Sequence, residues 1–139
     1  MSVKKEVGLT KDAGWQMGVR KTLDTDFDRV WDFMFSDKGL NLWLGPIKAE
    51  QLEVGKAMDL DHGIWFKIVV FKPFSHIRMQ WKKREWSNTS RLQLRIIRSK
   101  EKTVVSFAQE MMRNQTQREE MIVHWKKVAE RLSEILGSI

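Results

Sequence analysis

The chain has 139 residues, a length that suits one domain with a sizeable core, and no cysteine, which excludes disulfides and thiolate metal sites. Its 25 Lys and Arg against 18 Asp and Glu give a net charge of +7, which permits an anionic partner without requiring one. No window approaches the roughly 18 apolar residues of a membrane helix, and Met1-Ser2-Val3-Lys4-Lys5-Glu6 has no apolar stretch behind its lysines, so the expectation is a cytoplasmic protein without membrane insertion.

Residues 1–14 are polar, carry Gly8 and Gly14, and read as a flexible N-terminal arm before a single domain over 15–139. From Trp15 to Thr22 apolar and polar residues alternate, the period of a strand. Asp24-Thr25-Asp26 offers cap oxygens to a helix whose Phe27, Val30, Trp31 and Met34 share one face. Ser36-Asp37 recaps a second short helix with Leu40, Trp43 and Leu44, which Gly45-Pro46 stops. Six strands then follow in close succession: Ile47–Glu53, Lys56–Asp61, Ile64–Phe71, Ile77–Lys82, Arg91–Arg98 and Thr103–Met112. Their short polar connections predict an antiparallel meander. Asn114 or Thr116 caps the last element, a helix to about Leu136 with Gly137 past its end. Met121, Trp125, Val128, Leu132, Ile135 and Leu136 form its apolar stripe, and its length of about 30 Å spans a whole sheet. The fold class is therefore α+β: a curved antiparallel sheet of about seven strands around a long C-terminal helix, with two short helices after the first strand.

Catalytic patterns are sparse. His62, His76 and His124 are not at zinc-helix spacing and read as surface or rim residues, so no metal and no cofactor are expected. There is no Gly-x-Ser-x-Gly elbow, and although Ser106 could face inward, no base accompanies it. Asp59 and Asp61, with Glu50 and Glu53 on the preceding segment, are the carboxylates that a cavity acid or base would draw on; edge carboxylates are more often solvated. Lys82-Lys83-Arg84, Arg91, Arg95, Arg98, Lys100 and Lys102 suggest a basic convex face, and Trp86 in the intervening loop suggests a stacking ring. Outward strand positions must be polar in any case and no RNP-type motif occurs, so nucleic-acid binding is disfavoured.

The aromatic content carries more information. Seven Trp and seven Phe, with no Tyr and eight Met, supply either a bulky solid core or the lining of an apolar cavity, and the sequence supports both equally. If there is a cavity, Trp43, Trp65, Met79, Trp81, Phe107 and Trp125 are the expected lining.

Several segments also carry a family resemblance. Arg29-Val30-Trp31, Leu42-Trp43-Leu44-Gly45-Pro46, Met79-Gln80-Trp81, Thr103-Val104-Val105-Ser106-Phe107 and His124-Trp125-Lys126-Lys127-Val128-Ala129-Glu130-Arg131-Leu132 follow in this order over about residues 15–137. Together they resemble the helix-grip (START-like, SRPBCC) superfamily, and within it the group named for the activator of heat-shock protein 90 ATPase. The resemblance implies a cavity between long helix and sheet that takes lipids, sterols, polyketides or other apolar molecules, and hands over no catalytic residue. Activators of the chaperone carry a further N-terminal domain that this sequence does not contain, a departure from which the expectation is a stand-alone bacterial-type protein of unsettled role rather than a chaperone activator. The expectation is a non-enzymatic domain for a hydrophobic or aromatic small molecule. A protein-partner or chaperone-associated module, or a cavity enzyme of the cyclase or dehydratase kind, are the alternatives.

Overall fold

The computed structural model describes residues 8–10 and 14–137. Strand β2 (Gly14–Leu23) buries Met17, Val19 and Leu23 and turns the alternate residues outward. Helix α1 (Phe27–Met34) follows, burying Phe27, Val30, Trp31 and Met34 as their spacing predicts. Its Asp26 cap makes no side-chain bond to the helix. The hydroxyl of Thr25 instead donates to the Leu136 carbonyl, and the Thr25 carbonyl accepts from Thr103 Oγ1 at 2.7 Å. One loop thus ties the end of β2 to the last strand, which carries Thr103, and to the end of the long helix. Ser36 caps helix α2 (Asp37–Trp43) by accepting from the Gly39 N–H at 3.1 Å. Gly39 lets the two helices touch: a Cβ there would lie 1.8 Å from the Phe33 carbonyl oxygen.

The segment Ile47–Glu53, expected as a strand, instead contains a 3-10 turn at Ala49–Gln51. Its donors are taken locally, Lys48 N–H by Gln51 Oε1 at 2.8 Å and Ala49 N–H by Asp37 Oδ1 at 2.7 Å, so the backbone has side-chain partners in place of a ladder. The sheet nevertheless has seven strands, because Leu9–Thr10 (β1), inside the stretch read as an arm, pairs with the start of β2. Residues 1–7 and 11–13 of that arm lie outside the described residues.

The remaining strands are β3 (Ala57–Asp59), β4 (Ile64–Lys72), β5 (His76–Lys83), β6 (Ser90–Ser99) and β7 (Lys102–Met112). They form one antiparallel sheet in the order β1-β2-β7-β6-β5-β4-β3, with β2 closing on β7. Helix α3 (Gln115–Leu136), capped by Asn114 accepting from the Gln117 N–H at 2.9 Å, packs chiefly across β2 and β7. Its buried stripe is Met121, Trp125, Val128, Ala129, Leu132 and Leu136. Ile135, expected in the stripe, sits at its margin and is exposed. The architecture is the helix-grip arrangement.

Candidate functional site

Four of the six residues expected to line a cavity meet between the sheet and α3. Met79, Trp81, Phe107 and Trp125 are each at most 1% exposed, and they fill this space. The Trp125 indole stacks on Phe107 at 4.4 Å and 13°, with Trp81 6.4 Å away. A buried polar relay fixes the cluster. Trp125 Nε1 donates to Gln109 Oε1 at 2.8 Å, Gln109 Nε2 donates to Ser90 Oγ at 2.9 Å, and Ser90 Oγ donates to the Trp81 carbonyl at 2.6 Å. Trp43 closes one end of the core, its Nε1 donating to the Met34 carbonyl at 2.8 Å.

Trp65 is not with them. It lies half-buried on the opposite face of the sheet, paired with Lys82, while its neighbour Phe66 points inward opposite Trp81. The strand is apolar at nearly every position, so alternation alone does not choose between the two rings; the pairing does.

Open space lies at the end of this core rather than at its centre. A recess of about 350 Å³ runs between α2, the β3–β4 turn, the end of β5 and α3, with Trp43 and Trp81 in its wall and His62, His124, Lys83 and Glu85 around it. Gly45 is required here. At φ +145° and with a would-be Cβ 2.4 Å from His62 Cε1, it is the residue that lets the imidazole lie against the backbone. His124 is half-buried, and burial first, then Lys83, lower its pKa against the opposing pull of Glu120, which keeps the ring neutral at neutral pH. Lys83 Nζ is ion-paired with Glu120. Trp81 Nε1 has no hydrogen-bond partner among the described residues, and its ring meets Trp86 edge-on at 5.5 Å.

The convergence of His62 and His124 on one recess was hidden in the sequence, because the β3–β4 turn and α3 meet only once the sheet has curled. His76 is elsewhere, on the outer face beside Arg95. Among the described residues no three His, Asp or Glu side chains converge to hold a metal. Asp59, Asp61, Glu50 and Glu53 are all exposed and outside the recess, Asp59 bridging Arg84 at 3.0 Å. Ser106 faces outward between Arg20 and Arg95. The recess thus brings the two imidazoles and the Lys83–Glu120 pair beside the edges of two buried indoles. A separate groove of about 420 Å³, lined by Phe35, Leu52, Val54, Ile68 and Phe71, lies between α1, the 3-10 turn and β4.

The expected basic face is divided. Lys82, Arg91 and Arg95 point outward, but Lys83 turns in to Glu120, and Arg98 lies over Phe27 at 4.1 Å and 3.7 Å from Asp28. Trp86, expected as an exposed ring, is buried against Trp81. No helix among the described residues is long and apolar enough to cross a membrane.

Solved structures with this fold are numerous. The chain is similar to CalU16 from Micromonospora echinospora (TM-score 0.77, 19% identity, covering 94% of this chain and 71% of that one). It is also similar to PFC0360w, described as an HSP90 activator from Plasmodium falciparum (TM-score 0.70, 18% identity, 89% and 97%). Protein MLL2253 from Mesorhizobium loti is a third (TM-score 0.72, 14% identity, 87% and 96%). At these identities the likeness establishes the fold. A search of curated proteins finds no significant match. The model of one family matches residues 24–137, from the loop before α1 to the end of α3, and the chain therefore belongs to the family described as Activator of Hsp90 ATPase homolog 1-like protein.

Proposed function

We propose that this chain is a non-enzymatic binding domain that takes a small hydrophobic or aromatic molecule in the recess between α2, the β3–β4 turn and α3. The observation that carries the reading is the recess itself: about 350 Å³, closed at its back by the buried rings of Trp43 and Trp81 and bordered by two imidazoles. Its lining joins those rings and Leu42, Leu44 and Ile64 to a polar rim of Asn41, His62, Lys83, Glu85 and His124, so a guest would set an apolar body inward and polar groups at the rim. The packed Phe107–Trp125 centre favours a guest at the end of the core over one threaded through it.

A thermal-shift screen against fatty acids, sterols and flavonoids, with tryptophan emission read in parallel, tests this. Dose-dependent stabilisation of the wild type is expected. It should be lost in Asn41→Trp, which sets a large ring on an exposed position lining the recess. Stabilisation that survives Asn41→Trp would move the site elsewhere, first to the apolar groove beside Phe35 and Phe71.

A second reading, a chaperone-associated protein module, rests on the family match and on PFC0360w, whose chain this one covers at 97%. Co-purification of the full chain with its own cell's Hsp90 and an ATPase assay of the mixture distinguish the two.

A further inference from the structure

The sheet face turned away from α3 carries charge that neither the core nor the recess uses. Strand alternation places Arg20 of β2, Lys67 of β4, Arg78 and Lys82 of β5, and Arg91 and Arg95 of β6 on it. The register sets them in rows. Arg20, Ser106, Arg95 and His76 are successive cross-strand partners; Gly18, Ala108, Gln93 and Arg78 form the next row, and Glu110, Arg91, Gln80 and Lys67 the one after. Strands about 4.8 Å apart and same-face residues about 6.8 Å apart put neighbouring cations roughly 8–10 Å from one another, comparable to the screening length of about 8 Å at physiological salt.

Among the described residues two acids share this face, and both are engaged: Glu110 with Arg91 at 2.6 Å and Asp59 with Arg84 at 3.0 Å. Arg20, Lys67, Arg78, Lys82 and Arg95 have no acidic partner among the described residues, and the Arg78 guanidinium donates only to the neutral Gln93 Oε1, at 2.9 Å. His76 reports the resulting field, since after burial the charges of Arg95, Arg78 and Lys72 lower its pKa. Between the arginines the floor is small, with Gly18 and Ala108 adjacent in the ladder, and a depression of about 300 Å³ opens beside Arg78, Arg91 and Gln93.

We propose that this outer face is a second binding surface, which docks an acidic stretch of another polypeptide across β6 and β5. Arginines outnumber lysines on it, and the guanidinium fork pairs carboxylates bidentately. Single-stranded nucleic acid fits less well, because its bases need successive rings to stack on. Among the described residues Trp65, half-buried at one corner beside the Asp59–Arg84 pair, is the one indole or phenyl ring here.

The test uses the full chain and fluorescence anisotropy with a labelled poly-glutamate peptide, alongside an oligothymidylate of equal charge. Saturable peptide binding that weakens with salt is expected, with the oligothymidylate binding more weakly. Arg78→Glu combined with Arg95→Glu should weaken peptide binding by at least about tenfold. Lys126→Glu combined with Lys127→Glu, an equal charge change on the exposed side of α3, should stay within about twofold of wild type. Melting curves confirm that both variants fold. Equal losses in the two double variants, absence of saturable binding, or tighter oligothymidylate binding abolished by the arginine reversals would each overturn the proposal.

Discussion

Replacing Gln109 by leucine tests how far the Trp125–Gln109–Ser90 relay holds the core together. Gln109 is 1% exposed, and its amide accepts from Trp125 Nε1 and donates to Ser90 Oγ. Leucine has nearly the same volume but neither polar atom, so the substitution opens little space. It leaves the Trp125 N–H, on a residue with no solvent exposure, without an acceptor. Ser90 keeps its own donation to the Trp81 carbonyl and loses only an incoming bond. Stranding one buried donor costs about 1–3 kcal/mol, so a loss of about 2 kcal/mol is expected. With an unfolding entropy of about 2.1 cal/mol/K per residue, a chain of this length has about 0.29 kcal/mol/K, and the Tm falls by about 7 °C. Calorimetry or a circular dichroism melt measures it. Trp125→Phe on the same background completes a double-mutant cycle. Because the pair is then removed together, the double variant should lose about 1–2 kcal/mol less than the sum of the single losses. A Gln109→Leu protein within about 2 °C of wild type, or strictly additive losses, would show that the relay carries no net stability.

Three further outcomes follow from other contacts. Gly39→Ala sets a methyl against the Phe33 carbonyl, a backbone atom with no room to retreat, and should destabilise by more than about 2 kcal/mol in urea unfolding; a neutral result would mean that α1 and α2 separate freely. Trp43→Phe strands the buried Met34 carbonyl at the α1 end and should cost about 1–3 kcal/mol by the same assay, with loss of ligand response. Stability should also fall with acidification. His76 and His124 have folded pKa values below their ordinary 6.5, so the unfolded chain binds more protons; their contribution is complete above pH 6.5 and is lost as pH drops through 6.5 towards the folded values. His124→Gln should flatten that decline in Tm, and an unchanged pH slope would remove His124 from the account.

Much of the fold was readable because periodicity survives folding. The two short helices, the alternation of Ile77, Met79 and Trp81, and the α3 stripe from Met121 to Leu136 each bury the face that their spacing predicts. Trp65 was assigned to the wrong face because β4 is apolar on both parities, and only its pairing with Lys82 fixes the register. Ile47–Glu53 misled for the opposite reason: its few apolar residues fit a strand loosely, while Asp37 and Gln51 supply local acceptors that favour a turn. Gln109 did leave a signal, a glutamine at an inward position in line with Val105 and Phe107, which marks a buried polar partner. The recess left none. His62 and His124 are 62 positions apart on a turn and a helix, and nothing local records that they meet.

The central claim is that the recess, and neither the packed centre nor the apolar groove, receives a small molecule. The indole N–H resonances of the seven tryptophans report on each place separately in a proton–nitrogen correlation spectrum. Trp43 and Trp81 watch the recess, Trp31 the groove side through Phe35 and Phe71, and Trp65 the outer face. Titration with the best compound of the thermal screen should shift the Trp43 and Trp81 signals saturably and leave Trp65 in place. Saturable shifts at Trp31 alone, or none at any indole, would contradict the account.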